Sequence, residues 1–172
     1  MLASYDSQLR DAFAKNKKAA DSFREATLNY LRSPRPYAPP AVMIVEDDIS
    51  TGRMLQAFFK SRLGVEALLV GSAADAYDLL ERREFKLVLV DLKLPDRPGW
   101  YLVEDLRRSR LNSSVPVIVV SGFLSDLEDV ARKCGASDWI SKPLDADLLQ
   151  QKVKNLFNVE HTAEFPEVLG LS

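Results

Sequence analysis

Short apolar segments alternate with segments of helical periodicity between residues 41 and 158, and this alternation restricts the fold more than any other feature of the chain. Strands inside a parallel sheet lack polar alternation, because both faces of the sheet are covered. Segments of this kind predict five strands: AVMIV (41–45), VEALLV (65–70), FKLVLV (85–90), VPVIVV (115–120) and the short SDWIS (137–141).

The segments between and after these strands carry apolar residues at the spacing of helices. They predict five helices: STGRMLQAFFKSRL (50–63), SAADAYDLLERR (72–83), WYLVEDLRRSR (100–110), SDLEDVARKCG (125–135) and DADLLQQKVKNLF (145–157). Ser72 is a typical N-cap and Gly135 a typical C-terminal stop. The alternation therefore predicts an α/β fold with a parallel sheet covered on both faces, and a functional crevice beyond the carboxyl ends of the strands.

Composition limits the classes of protein that this chain can belong to. Its 172 residues, 47% hydrophobic and 28% charged, suit one globular domain with additional segments. A formal charge of −2 does not favour nucleic acid as the main partner. The single cysteine excludes an internal disulfide and favours a reducing compartment, and we find neither a signal-peptide pattern nor an apolar run of about 18 residues. We therefore expect a cytoplasmic protein without membrane contact.

The chain divides into four predicted regions. Residues 1–32 lack Gly and Pro and have a helical composition, SPRPYAPP (33–40) predicts a stiff linker, residues 41–158 hold the α/β pattern, and residues 159–172 form a tail without clear periodicity. The tail is too short for a DNA-binding module, and residues 1–40 show no helix-turn-helix pattern. We therefore expect no direct DNA binding.

The N-terminal segment also has a heptad pattern. Its a and d positions are apolar except for one Asn, which at an a position fixes register and strand number: Leu2, Tyr5, Leu9, Ala12, Asn16, Ala19, Phe23, Ala26 and Tyr30. A helix of this length is marginal alone in water and needs a partner surface. We predict a homodimer through residues 1–32. Docking of this helix on the same chain, or on another protein, stays open as an alternative.

Polar side chains stand where four of the predicted strands end. They are Glu46, Asp47 and Asp48 after the first strand, Asp91 after the third, Ser121 and Gly122 after the fourth, and Lys142 and Pro143 after the fifth. Each group alone has an ordinary explanation as a helix cap, a turn or a surface residue. Because the carboxyl ends of parallel strands share one edge of the sheet, we expect all four groups to converge there.

Such a group of side chains has a chemical rationale. Neighbouring carboxylates repel one another unless a cation joins them, and Mg²⁺ prefers hard oxygen ligands together with water and a phosphoryl group. A carboxylate beside that ion can attack a phosphoryl donor and become an aspartyl phosphate. A lysine ammonium, a hydroxyl and backbone N–H groups can stabilise the charge of the transferred group. Asp91 is then the predicted nucleophile.

Four sequence pieces resemble the receiver domains of two-component response regulators, the CheY-like family. They are MIVEDD, LVLVDLKLPDRPG, VPVIVVSG and GASDWISKPLDADLL, which cover about residues 41–157 in the order and spacing of that family. The resemblance implies a flavodoxin-like doubly wound sheet with strand order 2-1-3-4-5. It also implies a phosphoacceptor switch, which takes its phosphoryl group from a sensor histidine kinase or a phosphotransfer protein and acts on a downstream protein. Such a switch catalyses only its own phosphotransfer and slow autodephosphorylation and is otherwise not an enzyme.

The resemblance assigns a role to each matching residue of the metal site. Asp91 matches the phosphoacceptor. Asp47 matches the more direct ligand of Mg²⁺ or Mn²⁺, with Glu46 acting through water and the backbone carbonyl of Lys93 as a further ligand. Asp48 is an additional acidic residue that we expect to begin a helix and not to bind metal.

The resemblance also assigns the residues of the switch. Ser121 matches the switch hydroxyl, Lys142 the lysine that contacts the phosphoryl group, and Pro143 a residue whose preceding peptide bond is often cis. Trp139 stands three residues before Lys142, where the family usually has Tyr or Phe. Its indole is bulkier, so it either takes part in the switch or only packs as a half-buried strand residue.

Competing classes fit the sequence less well. The haloacid-dehalogenase phosphatases need a second Asp two residues after the nucleophile, where this chain has Lys93. A dinucleotide site needs a Gly-rich turn after the first strand, which here holds only Gly52, and no P-loop motif occurs. A non-phosphorylated receiver acting as a scaffold is the nearer alternative, although such proteins usually lack a site residue. We assign no catalytic use to His161 or Cys134.

Overall fold

A computed structural model describes residue 21 and residues 41–122, 127–158 and 165–170. The described residues from 41 onward belong to one compact unit, Tyr37–Ser172. The predicted helix and heptad pattern of residues 1–32, apart from Asp21, and the predicted linker 33–40 lie outside the described residues, as do residues 159–164, 171 and 172 of the tail.

Five parallel strands form a single sheet in the order β2-β1-β3-β4-β5. They are β1 Val42–Val45, β2 Ala67–Val70, β3 Leu87–Asp91, β4 Val117–Ser121 and β5 Asp138–Ser141. Helices alternate with them: α1 Ile49–Leu63, α2 Ala73–Leu80, α3 Gly99–Arg108, α4 Leu127–Cys134, α5 Ala146–Phe157 and the short α6 Phe165–Val168. The predicted doubly wound α/β fold and its strand order are confirmed.

The apolar runs form the core because they are covered on both faces. Every residue of β1, β2, β3 and β4 is buried. Removing a Val, Leu or Ile side chain from water stabilises the fold by about 1.5–3 kcal/mol. Continuous burial also fixes the direction of the strand ends, so that the residues following the strands reach one edge of the sheet.

Helix ends follow the capping residues of the sequence. Asp48 accepts a hydrogen bond from the Thr51 N–H at 2.7 Å and begins α1, as predicted. Ser72 accepts one from the Asp75 N–H at 3.1 Å and begins α2. Helix α4 ends at Cys134, and Gly135 follows it with φ +83°, a conformation that only glycine adopts without strain.

The start of the second strand differs from its prediction for a local reason, and the tail contains a short helix. Residues 65 and 66 were expected in the second strand, but the Val65 N–H donates to the Phe59 carbonyl at 3.1 Å, beside the left-handed Gly64. These residues therefore close α1 before the strand begins. The tail, in which the sequence shows no clear periodicity, contains the short helix α6, and Leu169 is buried. A helix of four residues is too short to show a periodicity.

Candidate functional site

The carboxyl ends of β1, β3, β4 and β5 bring the predicted site residues to one edge of the sheet. Glu46 directly follows β1, Asp91 is the last residue of β3, Ser121 is the last residue of β4, and Lys142 directly follows β5. Strand order places β3 between β1 and β4, so Asp91 lies in the middle of this edge. The edge is the position where ligands bind in open α/β sheets.

The Lys142 side chain joins two of the buried carboxylates. Its Nζ donates to Asp91 Oδ2 at 2.6 Å and to both oxygens of Glu46, at 2.7 Å and 3.0 Å. Glu46 is 2% exposed and Asp91 6% exposed, whereas a quarter of the Lys142 side chain is exposed. Charge-assisted hydrogen bonds of this length are strong where water is largely excluded. The sequence prediction that Glu46, Asp91 and Lys142 converge is therefore realised.

Asp47 completes an acidic cluster at the same edge. One carboxylate oxygen from each of Glu46, Asp47 and Asp91 lies within 4.8 Å of the others. Asp47 is exposed, so the cluster opens to solvent on one side. Three oxygen donors with an open side suit a hard cation that keeps water and binds a further oxygen ligand. Asp48 points its carboxylate to the α1 N-terminus, as expected for a residue that does not bind metal.

The ionisation of the cluster reflects a shortage of positive charge. The pKa of Glu46 is raised to about 7, chiefly by burial and also by the neighbouring Asp91, although the Lys142 ammonium opposes the change. Loss of hydration likewise raises the pKa of Asp47, with Asp91 adding to the effect. For Lys142, burial lowers the pKa, but hydrogen bonds to Asp91 and Glu46 outweigh it and the net shift is upward. One ammonium therefore does not balance three carboxylates, and a divalent cation would.

The backbone after Asp91 folds tightly around its carboxylate. The Lys93 N–H donates to Asp91 Oδ1 at 2.9 Å, and the Gly99 N–H donates to the Leu92 carbonyl at 2.9 Å. A Cβ at position 99 would overlap the Asp91 carbonyl oxygen, so this turn requires glycine. The Pro and Gly residues that follow the strand therefore close a loop beside the carboxylate.

The predicted switch residues lie on β4 and β5. Ser121 is buried and its carbonyl accepts from the Lys142 N–H at 2.9 Å. The Lys142–Pro143 peptide bond is cis. Trp139 is half-buried, and Lys152 Nζ of α5 lies 4.9 Å from the centre of its ring while pairing with Asp138 at 2.6 Å. Trp139 pairs in register with Val119, two residues before Ser121.

One residue near the site was not predicted from the sequence. Asp96, in the loop after Asp91, accepts hydrogen bonds from the N–H groups of Ala73 and Ala74 at the start of α2. The partners are 22 and 23 positions away, so no local spacing could have indicated this contact.

An aspartate at the middle of a doubly wound sheet, bridged by a lysine to an acidic neighbour, defines a class of α/β proteins that switch by accepting a phosphoryl group. Comparison with known proteins gives the same class. The family model described as the response regulator receiver domain matches residues 42–154. The chain belongs to that family.

The sequence is similar to those of bacterial transcriptional regulators. The TorCAD operon transcriptional regulatory protein TorR of Escherichia coli (strain K12) is 35% identical over 119 residues, which are 69% of this chain and 50% of TorR. The transcriptional regulatory protein ZraR of Salmonella typhimurium is 32% identical over 124 residues, 72% of this chain and 27% of ZraR. The chain thus spans about half the length of one relative and about a quarter of the other.

Solved structures share the fold over the same region. The receiver domain of the TMAO respiratory system response regulator TorR is 33% identical with a TM-score of 0.60, covering 69% of this chain and 96% of that one. A CheY-like receiver domain from Methylobacillus flagellatus is 28% identical with a TM-score of 0.62, covering 69% and 99%. The receiver domain of sensor histidine kinase PA1611 from Pseudomonas aeruginosa PAO1, solved with a magnesium ion in its active-site cleft, shares the fold at 24% identity and a TM-score of 0.62, covering 69% and 97%.

The family supports the coarser functional expectations. Receiver domains act as phosphoacceptor switches in two-component signalling, bind Mg²⁺ at their acidic cluster and partner with histidine kinases or phosphotransfer proteins, and the acidic cluster of this chain could hold such an ion. Among the residues that the structure describes, no helix has the length and apolar character needed to cross a membrane.

Proposed function

We propose that Asp91 accepts a phosphoryl group from a sensor histidine kinase or a histidine phosphotransfer protein, and that the aspartyl phosphate changes the affinity of this chain for a downstream protein. The observation that carries the proposal is the Lys142 ammonium held 2.6 Å from Asp91 Oδ2 and 2.7 Å from Glu46. A cation in that position can neutralise a transferred phosphoryl group, and it does not block the open side of the acidic cluster.

The reaction is a displacement at phosphorus. A carboxylate oxygen of Asp91 attacks the phosphorus of a phosphohistidine, the P–N bond breaks, and its electron pair leaves with the imidazole of the donor. Lys142 is already directed at this carboxylate and takes up charge that develops on the phosphoryl oxygens. Water later attacks the phosphorus, the P–O bond to Asp91 breaks, and inorganic phosphate leaves. This slow autodephosphorylation resets the switch without a second enzyme.

A divalent cation, Mg²⁺ or Mn²⁺, belongs to the proposed site. Asp47, Asp91 and the backbone carbonyl of Lys93 would hold it, with Glu46 contributing through water. When bound, the cation supplies positive charge for the phosphoryl oxygens. The donor set fits, because the three carboxylates are clustered within 4.8 Å and two of them have raised pKa values that added positive charge would lower.

Ser121, Lys142 and Trp139 are the proposed switch. Ser121 ends β4 directly before the segment that leads into α4, so movement of its hydroxyl toward a phosphoryl group would reposition that segment. Trp139 either follows this movement or only packs. The scaffold alternative, a receiver that is never phosphorylated, is not favoured, because the acceptor, the acidic pair, the hydroxyl and the lysine are all present.

Residues outside the α/β domain are proposed to assemble the protein. Residues 1–32 pair two chains through their heptad positions, with residues 33–40 as linker, 41–158 as receiver and 159–172 as tail. Light scattering of the full chain and of a shorter protein beginning at Ala41 tests this: monomers in both cases at tens of micromolar would contradict pairing. We further propose a cytoplasmic location and an output through protein contacts, with no direct DNA binding by this chain.

Intact mass spectrometry with acetyl phosphate and Mg²⁺ tests the acceptor assignment. The wild-type chain should gain one phosphoryl group, and EDTA should prevent the gain. Asp91→Asn should gain none, because an amide is not a nucleophile for phosphorus. Asp48→Asn is the matched control, since it removes a neighbouring carboxylate, keeps a good N-cap and should label like the wild type. Unchanged labelling of Asp91→Asn would show that the acceptor lies elsewhere.

A further inference from the structure

The loop that follows the phosphoacceptor is closed at both of its ends by backbone hydrogen bonds. The Leu92 N–H donates to the Val120 carbonyl at 3.2 Å, and the Gly99 N–H donates back to the Leu92 carbonyl at 2.9 Å. The residues between these points, 93–98, include Lys93, whose carbonyl is the proposed ligand of the divalent cation. The position of that carbonyl therefore depends on what holds the middle of the loop.

The carboxylate of Asp96 joins the middle of the loop to the start of α2, beside the buried Leu94. Asp96 Oδ1 accepts from the Ala73 N–H at 3.1 Å and Oδ2 accepts from the Ala74 N–H at 2.9 Å. Burial alone would raise the pKa of Asp96, but hydrogen bonds from the backbone N–H groups of Ala73, Ala74, Asp96 itself and Arg97 together outweigh it, and the pKa is lowered. The charged form also lies at the positive end of the α2 dipole, which favours it further.

The second side-chain anchor of the loop is weaker. Arg97 pairs with Asp105 of α3 at 2.7 Å, but both side chains are about one-third exposed. Exposed ion pairs contribute about 0–1 kcal/mol and are screened by salt. Asp96 is itself exposed, but its two carboxylate oxygens accept from two N–H groups of a helix backbone, which is less free to move than an arginine side chain.

Capping of α2 does not by itself account for the Asp96 contact. Ser72 already caps this helix from within the chain, since its side-chain oxygen accepts from the Asp75 N–H at 3.1 Å. The N–H groups of Ala73 and Ala74 are at a helix start where no intrahelical partner exists; Ala74 is exposed and water could otherwise reach it, whereas Ala73 is buried. Asp96, which is 22 positions away from Ala74 in the sequence, binds both N–H groups. The contact therefore restrains the loop at least as much as it restrains the helix.

We propose that Asp96 is a positioning residue for the divalent cation: its two hydrogen bonds to the start of α2 fix the loop so that the Lys93 carbonyl faces the acidic cluster. This inference rests on the proposed function, because it assumes a cation at that cluster. It adds a direct link between α2 and the phosphorylation site, so that occupancy of the site and the ordering of the α2 start reinforce one another.

The affinity for Mg²⁺ of the unphosphorylated full chain tests this role. Residues that orient metal ligands typically change metal affinity by about 10- to 100-fold, and we expect a loss of about 10-fold in Asp96→Ala. Ser72→Ala is the matched control, because it removes a cap from the same helix end and leaves the loop contact intact. Its Mg²⁺ affinity should change by less than about 2-fold, although a lost cap lowers its stability in denaturant.

A conservative variant and hydrogen exchange give two independent readouts. Asp96→Asn keeps one acceptor oxygen and should have an intermediate Mg²⁺ affinity, which also covers the case in which Asp96→Ala does not fold. Coupling is reciprocal, so a 10-fold effect on the cation requires that Mg²⁺ slow exchange of the Ala73 and Ala74 amides by on the order of 10-fold in the wild type.

Two results would overturn the positioning role while leaving the proposed function intact. One is a wild-type chain that binds Mg²⁺ and is phosphorylated, with Asp96→Ala and Asp96→Asn binding Mg²⁺ equally well. The other is a loss of Mg²⁺ affinity in Ser72→Ala as large as in Asp96→Ala, which would mean that the integrity of α2 and not the loop contact matters. A wild-type chain that binds no Mg²⁺ would instead contradict the proposed function.

Discussion

At the amino-terminal edge of the sheet, Asn112 is 1% exposed and its side-chain amide makes three hydrogen bonds, from the Phe85 N–H and to the carbonyls of Leu80 and Arg83. At the carboxyl-terminal edge, Glu46 and Asp91 are almost as buried, but they share a single ammonium group. The two edges belong to the same sheet and both contain buried polar groups, but at the carboxyl-terminal edge two buried carboxylates depend on the same ammonium group.

This difference separates a structural role from a functional one. A neutral side chain whose hydrogen bonds are all made inside the protein contributes to stability and needs nothing from solution. Buried carboxylates in excess of their cations lower stability, and they persist where a ligand completes the charge balance. The raised pKa of Glu46, to about 7, is the local sign of that incomplete balance. Changes at the two edges should therefore affect stability in opposite directions.

The largest expected effect on stability is at the amino-terminal edge. Asn112→Ala leaves the Phe85 N–H and the Leu80 and Arg83 carbonyls without their partner, and each unsatisfied buried group costs about 1–3 kcal/mol. We expect a loss of about 3 kcal/mol in the free energy of unfolding, measured in urea, with Mg²⁺ affinity unchanged. Ser114→Ala, an exposed change two residues away, should stay within about 0.5 kcal/mol of the wild type.

An Asn112→Ala variant as stable as the wild type would contradict the structural role of the amino-terminal edge. So would a large loss of Mg²⁺ affinity in that variant, since it would mean that the two edges are coupled. Urea unfolding measures the stability, and a calorimetric titration with Mg²⁺ measures the affinity for the cation.

The two edges also differ in how far the sequence could predict them. Asp91 and Lys142 were predictable because each directly follows an apolar run, and parallel strands carry such residues to one edge. Asn112 and Asp96 were not, because their partners lie 22 to 32 positions away and their local sequence is that of an ordinary polar loop. The start of β2, at Ala67 and not at Val65, was missed for another reason: an apolar residue that closes a helix has the same composition as one that begins a strand.

The second prediction concerns the carboxyl-terminal edge and its dependence on pH. The pKa of Glu46 is raised from 4.5 to about 7 in the folded chain, so the folded state holds more protons than the unfolded state between these values. Stability in EDTA should therefore fall as the pH rises from about 4.5 to about 7, by on the order of 3 kcal/mol, and the loss should be complete above that range. Urea unfolding at a series of pH values measures it.

Glu46→Gln provides the control for this pH dependence, because glutamine does not ionise. The variant should lose most of the fall in stability across the same range and should be more stable than the wild type at pH 8 in EDTA. Saturating Mg²⁺ should restore stability to the wild type at pH 8, since the ion binds the folded, ionised cluster. Parallel pH profiles for wild type and Glu46→Gln would show that Glu46 is not the titrating group.

The smallest expected effect concerns Trp139, which lies on the last strand, three residues before Lys142. Lys152 Nζ is 4.9 Å from the centre of the Trp139 ring and is itself held by Asp138 at 2.6 Å. A cation over an indole stabilises the resting ring position by about 0.5–1 kcal/mol. If the ring must move when Asp91 is phosphorylated, Lys152→Gln lowers the cost of that movement, and beryllofluoride should bind about 2- to 5-fold more tightly.

The measurement uses Trp139 fluorescence in a Trp100→Phe background, because the chain has two tryptophans. Lys133→Gln removes the same charge from an exposed position on α4 and serves as the control, with unchanged beryllofluoride affinity expected. A ring that only packs gives a different pattern: Lys152→Gln would bind beryllofluoride like the wild type, and emission from Trp139 would not change on binding. If Lys133→Gln bound beryllofluoride more tightly by the same factor as Lys152→Gln, the effect would come from net charge, since Lys133→Gln leaves the contact over the indole in place.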